Sequence, residues 1–158
     1  AFISTARGLP QWYYGSELLM EGDGGQSHGA IRQDFPGGWP GDQVNVFKRE
    51  GRTDAQNELS DYLTKLLNYR KTSRVIHQGE TLHFIPQNEV YVYFRYLEDK
   101  ALMVMMNNNA EIDRAVNMSR FSEILDSYTA GTEVVSGQKY DLKNITVPAK
   151  SALIIELE

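Results

Sequence analysis

Four side chains in the first forty residues could contact a ligand: Glu17, His28, Arg32 and Trp39. The guanidinium of Arg32 can make charge-assisted hydrogen bonds, and the Trp39 ring offers an apolar face with a polar N–H. Glu17 is a carboxylate, but no acidic neighbour has a spacing that fixes a pair for acid–base chemistry. These residues predict no catalytic pair, and their types alone leave a ligand-binding role open.

Each candidate also has a plainer interpretation. Arg32 could be a solvated loop arginine, and for Glu17 we favour a structural ion pair. Trp39 lies in a glycine- and proline-rich run with Phe35, where an aromatic ring could stack on a ligand or anchor the loop. The sequence leaves these alternatives open.

The sequence predicts no metal site and no cofactor. Residues 21–25 are acidic and glycine-rich but lack the alternating oxygen ligands of a calcium loop. The three histidines, His28, His77 and His83, have no metal-ligand spacing. No nucleophile or phosphate-loop motif occurs.

The segment before these candidates predicts a buried strand. An apolar, aromatic run over residues 9–14 lies between Gly8 and Gly15, and such runs suit strands that are buried on both faces. Polar residues directly after such strands are where α/β barrels place their sites. Since a whole barrel needs roughly 250 residues, and the sequence opens at Ala1 within an element, we expect the remnant of one.

A loop and one long helix follow this strand. Residues 15–52 are glycine-rich, and loops of this length are usually functional or disordered. Thr53 and Gln56 form a capping box, after which Leu and Tyr recur at helical spacing. We therefore predict a helix over about residues 54–72.

Residues 77–158 predict an antiparallel β-sandwich, because short strands alternate with turn signals. Residues 90–96 are β-branched and aromatic, and a turn leads into a returning strand. Alternation puts Tyr91 and Tyr93 on one face, which could be a ligand platform or could pack against a barrel or a partner subunit; we favour packing. The other predicted strands lie at 80–85, 114–118, 131–135, 144–147 and 152–157.

Composition excludes several classes of protein. A net charge of −5 argues against a nucleic-acid partner, and no apolar run approaches the roughly 20 residues of a membrane span. Without cysteine, no disulfide or thiolate site can form. The location is left open between bacterial cytoplasm and periplasm.

The ordered set of motifs resembles one enzyme family, the α-amylase superfamily of glycoside hydrolases, in its neopullulanase and cyclomaltodextrinase branch. Residues 7–17 resemble the eighth strand of its TIM barrel, and residues 51–58 resemble the start of the last barrel helix. Three motifs resemble the C-terminal β domain of cyclomaltodextrinases: His83-Phe84, residues 91–96, and Asn107-Asn108-Asn109.

This resemblance implies that residues 1–76 are the last β/α unit of a TIM barrel and that residues 77–158 are a C-terminal β-sandwich domain. It implies a parent enzyme that cleaves α-1,4-glucosidic bonds of starch oligosaccharides, cyclodextrins or pullulan with a retaining mechanism. The three catalytic carboxylates of the family would lie upstream, so this chain alone is expected to be inactive.

The resemblance also implies a sugar-binding role for Arg32, which matches an arginine of the loop after the eighth strand. In the family an acidic residue stands four positions earlier, whereas this chain has His28 there. Glu17 would lie at the sugar-facing end of the strand.

Two non-catalytic functions remain as alternatives: a glucan-binding β domain, and a domain that stabilises the barrel or an oligomer. Without the barrel, residues 1–72 would expose apolar surface. We therefore expect disorder before about residue 52, repacking against the sandwich, or a homodimer.

Overall fold

The structure, a computed structural model, describes residues 1–158 and consists mainly of antiparallel β-strands with four helices. The helices are α1 (Phe2–Thr5), α2 (Asp54–Thr72), α3 (Arg74–Gln78) and α4 (Ser122–Leu125). The strands are β1 (Glu80–His83), β2 (Val90–Leu97), β3 (Lys100–Asn107), β4 (Arg114–Val116), β5 (Ala130–Glu133), β6 (Lys139–Asp141), β7 (Ile145–Val147) and β8 (Ala152–Leu157). No helix is long and apolar enough to cross a bilayer.

The chain forms two units. Residues 1–9 and 65–158 form the first, and residues 10–64 form the second. The first unit thus includes the end of α2 and all of α3, whereas the sequence predicts that the β domain begins at residue 77. The difference has a physical cause, because α3 packs against β2 and β3 and so belongs with the sheet.

Six strands of the first unit form one antiparallel sheet, in the order β1-β2-β3-β8-β5-β6. β2 and β3 form the predicted hairpin, and β8 pairs with both β3 and β5. β4 and β7 form a separate two-stranded sheet. The main core joins Phe94 and Met103 of the large sheet to Phe121 and Val147. The predicted antiparallel sandwich is confirmed, with a second sheet of only two strands.

The opposite face of the large sheet also packs within the first unit. Tyr93 lies on this face and is only 1% exposed. Its ring meets the ring of Phe2 in α1 edge-on at 5.8 Å, and its hydroxyl shares a hydrogen bond with the hydroxyl of Thr5. The predicted packing role of this tyrosine face is therefore confirmed for Tyr93, which cannot serve as a ligand platform.

Two buried arginines fasten helix ends to this unit. Arg95 on β2 donates to the carbonyl oxygens of Ile76 at 2.9 Å and Gly79 at 2.7 Å, at the end of α3. Arg70 near the end of α2 donates to the carbonyl oxygen of Ser4 at 2.8 Å, in α1. Burial lowers the pKa of both guanidinium groups from its ordinary value. Carbonyl oxygens at helix ends lack intrahelical partners, so these arginines satisfy groups that would otherwise be buried unpaired.

In the second unit, α2 starts where the capping box predicts. The backbone N–H of Thr53 donates to the side-chain oxygen of Gln56 at 2.9 Å, and the backbone N–H of Gln56 donates to the hydroxyl of Thr53 at 3.3 Å. The observed bounds of the helix, Asp54–Thr72, coincide with the predicted range.

The strand predicted over residues 9–14 is not formed. Leu9 is 98% exposed, and Tyr13 and Tyr14 are 53% and 43% exposed. A strand needs a neighbour that satisfies its backbone N–H and C=O groups, and no strand of this chain lies beside these residues. The prediction is wrong for this chain because it assumed the rest of a sheet.

Candidate functional site

The candidate side chains lie on two loops of the second unit. The first loop, residues 21–34, is closed by the side-chain amide of Gln33, which donates to the carbonyl oxygens of Glu21 and Ala30, both at 3.2 Å. The hydroxyl of Tyr14 donates to the carbonyl oxygen of Gln33 at 2.9 Å. These hydrogen bonds fix the backbone conformation of this glycine-rich loop.

Arg32 and His28 meet in this loop through the backbone. The Nη1 group of Arg32 donates to the carbonyl oxygen of His28 at 2.7 Å. Both side chains are exposed, and the imidazole makes no hydrogen bond. Arg32 forms no ion pair, so most of its N–H donors remain open to a ligand.

An exposed tyrosine pair lies beside Arg32. The rings of Tyr13 and Tyr14 are 4.7 Å apart and tilted by 41°. The pKa of the Tyr14 phenol is raised, first by partial desolvation and then by Tyr13 and the carboxylate of Asp34, while the charge of Arg32 opposes this shift. Sequence reasoning missed these tyrosines as site residues because it assigned them to a buried strand.

The second loop, residues 35–47, carries Trp39 at its tip. Its ends are joined by a hydrogen bond from the N–H of Val46 to the carbonyl oxygen of Pro36, at 3.0 Å. At the tip, the N–H of Asp42 donates to the carbonyl oxygen of Trp39 at 3.3 Å, and Gly41 has a φ of 96°. Proline at the second position and glycine at the third are typical of a type II turn. The turn holds the indole outward, 73% exposed.

The structure assigns different roles to Phe35 and Trp39, each of which could have anchored the loop or stacked on a ligand. Phe35 packs on Phe47, with ring centroids 4.9 Å apart, so Phe35 anchors the loop. Trp39 has no ring partner, so its face is free to stack on a ligand.

Glu17 lies in a short 3₁₀ turn, Ser16–Leu18, and is half-buried. It forms neither a hydrogen bond nor an ion pair within this chain, so the structural ion pair expected for it stays a prediction. The expectation needed a cation on a neighbouring strand, and no strand lies beside this segment.

The structure thus brings Arg32 together with the His28 backbone and the tyrosine pair, while Trp39 lies on the other loop and Glu17 stands apart in its own turn. No group of three His, Asp or Glu side chains is placed to hold a metal ion. Exposed aromatic faces next to an unpaired guanidinium can stack on an apolar ring face and donate to hydroxyl groups.

Three comparisons relate this chain to known proteins. Residues 81–156 match the family described as the cyclo-malto-dextrinase C-terminal domain. An α-amylase from Niallia circulans is 25% identical over 156 residues, which cover 94% of this chain and 26% of that protein. A cyclomaltodextrin glucanotransferase from the same organism is 30% identical over 129 residues, which cover 82% of this chain and 16% of that protein.

A solved structure shares the fold. The crystal structure of an α-amylase from Geobacillus thermoleovorans, complexed with acarbose, aligns with a TM-score of 0.71 at 19% identity, over 99% of this chain and 31% of that chain. This chain therefore spans about a quarter or less of the length of the curated relatives named above, and under a third of this structural relative.

Proposed function

We infer that this chain, whose residues 81–156 belong to the cyclo-malto-dextrinase C-terminal domain family, is the C-terminal part of a glycoside hydrolase of the α-amylase family. The enzyme acts on α-1,4-glucosidic bonds of starch oligosaccharides, cyclodextrins or pullulan, with a retaining mechanism that needs two carboxyl groups about 5 Å apart. This chain supplies neither of them, so on its own it is inactive.

The observation that carries the proposal is the contrast between the two units. The first unit has its own core around a complete six-stranded sheet. The second, residues 10–64, has no strand at all and leaves apolar side chains such as Tyr13 and Phe47 exposed, while the buried Nε1 group of Trp12 has no partner. These features support residues 1–76 being the last β/α unit of a TIM barrel whose other strands would cover this surface.

The two loops of the second unit then contribute glucan contacts. Trp39 stacks on the apolar face of a glucose ring, and the free donors of Arg32 bind its hydroxyl groups. His28 contributes through the carbonyl oxygen that orients Arg32. Glu17, which has no partner within this chain, completes its contacts with the remainder of the barrel.

The experiment that tests the enzyme assignment uses the full-length protein with its upstream sequence. We expect it to release reducing sugar from soluble starch, β-cyclodextrin or pullulan, and we expect the 158-residue chain alone to release none. A folded full-length protein that is inactive on all three substrates would refute the assignment.

The loop contacts are tested in the same protein with Trp39→Ala. We expect KM to rise by about 2- to 10-fold, corresponding to the roughly 0.5–1.5 kcal/mol of an aromatic contact. Val44→Ala is the matched control, because Val44 lies in the same loop and is 50% exposed. Equal effects of the two substitutions would contradict a stacking role for Trp39.

A stabilising role for the β domain is compatible with this function, since α1 and the end of α2 pack with the sheet in one unit. The alternative of a glucan platform on the tyrosine face has no such support. Tyr93 is buried against Phe2, and Tyr91 is half-buried beside it.

A further inference from the structure

The first unit contains a cavity of about 320 Å³ beside the turn between β2 and β3, which we call the hairpin pocket. Small-molecule sites have volumes of roughly 300–1,000 Å³, so this one has room for a small ligand. The six lining residues that matter here are Tyr69, Arg74, Leu97, Glu98, Lys100 and Glu156.

The charges in the hairpin pocket balance. Arg74 and Lys100 provide two cations, and Glu98 and Glu156 provide two carboxylates. Only one ion pair forms among them, between Arg74 and Glu98 at 3.8 Å across the rim. A site with both donors and acceptors and no net charge suits a neutral polyhydroxyl ligand better than an anion or a cation.

The Tyr69 ring and Leu97 add apolar surface to this site. Burial raises the pKa of the Tyr69 phenol to about 12, with a further contribution from the carboxylate of Glu156. The phenol shares hydrogen bonds with the side chains of Ser73 and Glu156, so Tyr69 offers its ring rather than a free donor. An aromatic face surrounded by donors and acceptors matches the two kinds of surface on a sugar ring.

The turn at the rim of the pocket holds Glu98 in a left-handed backbone conformation. Glu98 is one of the two loop residues between the paired Leu97 and Lys100, and it has a φ of 57°. Glycine, asparagine or aspartate normally occupy such positions in two-residue hairpins. A glutamate there is unfavourable for the backbone, so its replacement by glycine removes the carboxylate without adding backbone strain.

We propose that the hairpin pocket is a second carbohydrate site, separate from the loops of residues 21–47, that binds one or two glucose units of an α-glucan. The choice of glucan rests on the proposed function, whereas the neutral-sugar chemistry rests on the pocket itself. The Tyr69 ring stacks on the sugar, and the four charged side chains bind its hydroxyl groups.

The test is an NMR titration of the full chain with maltose, in a Trp39→Ala background that weakens the loop contacts. We expect the backbone amide signals of Tyr69, Glu98 and Lys100 to shift with saturation. Glu98→Gly should relieve the left-handed backbone and raise the midpoint of thermal unfolding, yet weaken maltose binding at least fivefold. This combination separates a binding defect from a folding defect.

Lys150→Gly is the matched control, because Lys150 also has a left-handed φ, of 47°, and lies outside the pocket. It should leave maltose binding unchanged. The proposal is overturned if maltose shifts no signals at the pocket, if it shifts only signals of residues 10–64, or if both glycine variants weaken binding equally.

The maltose titration and the enzyme assay test the two proposals separately. An inactive full-length protein whose pocket still binds maltose would refute the proposed enzyme and leave this site standing. An active enzyme without these signal shifts would refute this site alone.

Discussion

Replacing Arg95 by methionine removes a buried guanidinium from the middle of the first unit. Arg95 is 1% exposed and donates to the carbonyl oxygens of Ile76 and Gly79 and to the hydroxyl of Thr81. Methionine fills a similar volume but donates nothing, so both carbonyl groups at the end of α3 would remain buried without this donor.

The magnitude follows from these contacts. A hydrogen bond to a charged group contributes about 1.5–3 kcal/mol, so the two carbonyl contacts together contribute about 3–6 kcal/mol. Part of this is offset because the substitution also removes a buried charge whose Nε group has no partner. A buried acceptor that loses its donor costs about 1–3 kcal/mol, so for the two carbonyl groups we expect a net loss near 3 kcal/mol.

The assay is urea unfolding followed by far-UV circular dichroism. Both tryptophans of the chain, Trp12 and Trp39, lie in the second unit, so tryptophan fluorescence would report on the wrong unit. The unfolding free energy falls by about 2 kcal/mol per molar urea, so the urea concentration at the unfolding midpoint should fall by about 1.5 M. Hydrogen exchange of the β2 amides should accelerate in parallel.

The matched control is Arg49→Met. Arg49 pairs with Asp61 at 2.9 Å, but both side chains are more than half exposed, and exposed pairs contribute about 0–1 kcal/mol. If Arg95→Met changed the stability as little as Arg49→Met does, the reasoning that α3 is fastened to the sheet by Arg95 would be refuted.

Two further predictions concern buried polar groups. The pKa of Tyr69 is raised to about 12 from 10.0, so the folded state holds this proton more tightly than the unfolded state, and stability should fall as pH rises from about 10 to 12. Ultraviolet titration of the phenols should lose a step near pH 12 in Tyr69→Phe, and an unchanged titration would contradict the assignment. Asn107 is 3% exposed, and its side-chain nitrogen lies 2.9 Å from the carbonyl oxygen of Ile112 and 3.1 Å from that of Val147. Asn107→Leu should therefore lower the unfolding free energy by about 2–4 kcal/mol, whereas the exposed Asn108→Ala should change it by less than about 0.5 kcal/mol, as measured by urea unfolding.

The β domain was predictable because its signals are local. The β-branched and aromatic run at residues 90–96 and the turn at residues 98–100 describe a hairpin without any knowledge of the rest of the chain. Alternation also placed Tyr93 on the face that packs against α1. The strand at Lys139–Asp141 was missed because three polar or half-polar residues carry no such signal.

The N-terminal segment was harder to predict because no strand of this chain lies beside it. The apolar run at residues 9–14 has the composition of a strand, but composition supplies no neighbouring backbone to pair with it. Likewise, nothing local indicated that Tyr13 and Tyr14 would stack in the open beside Arg32. The capping box of α2, by contrast, lies within four residues and was read correctly.

The position of β8 in the middle of the large sheet has a consequence for synthesis. β3 has five buried residues in a row, and its second partner begins 45 residues after its own end. At about 5–20 residues per second on the ribosome, its open edge would stay unprotected for roughly 2–9 s. Nascent chains paused between these strands should be the form of this protein most in need of a chaperone.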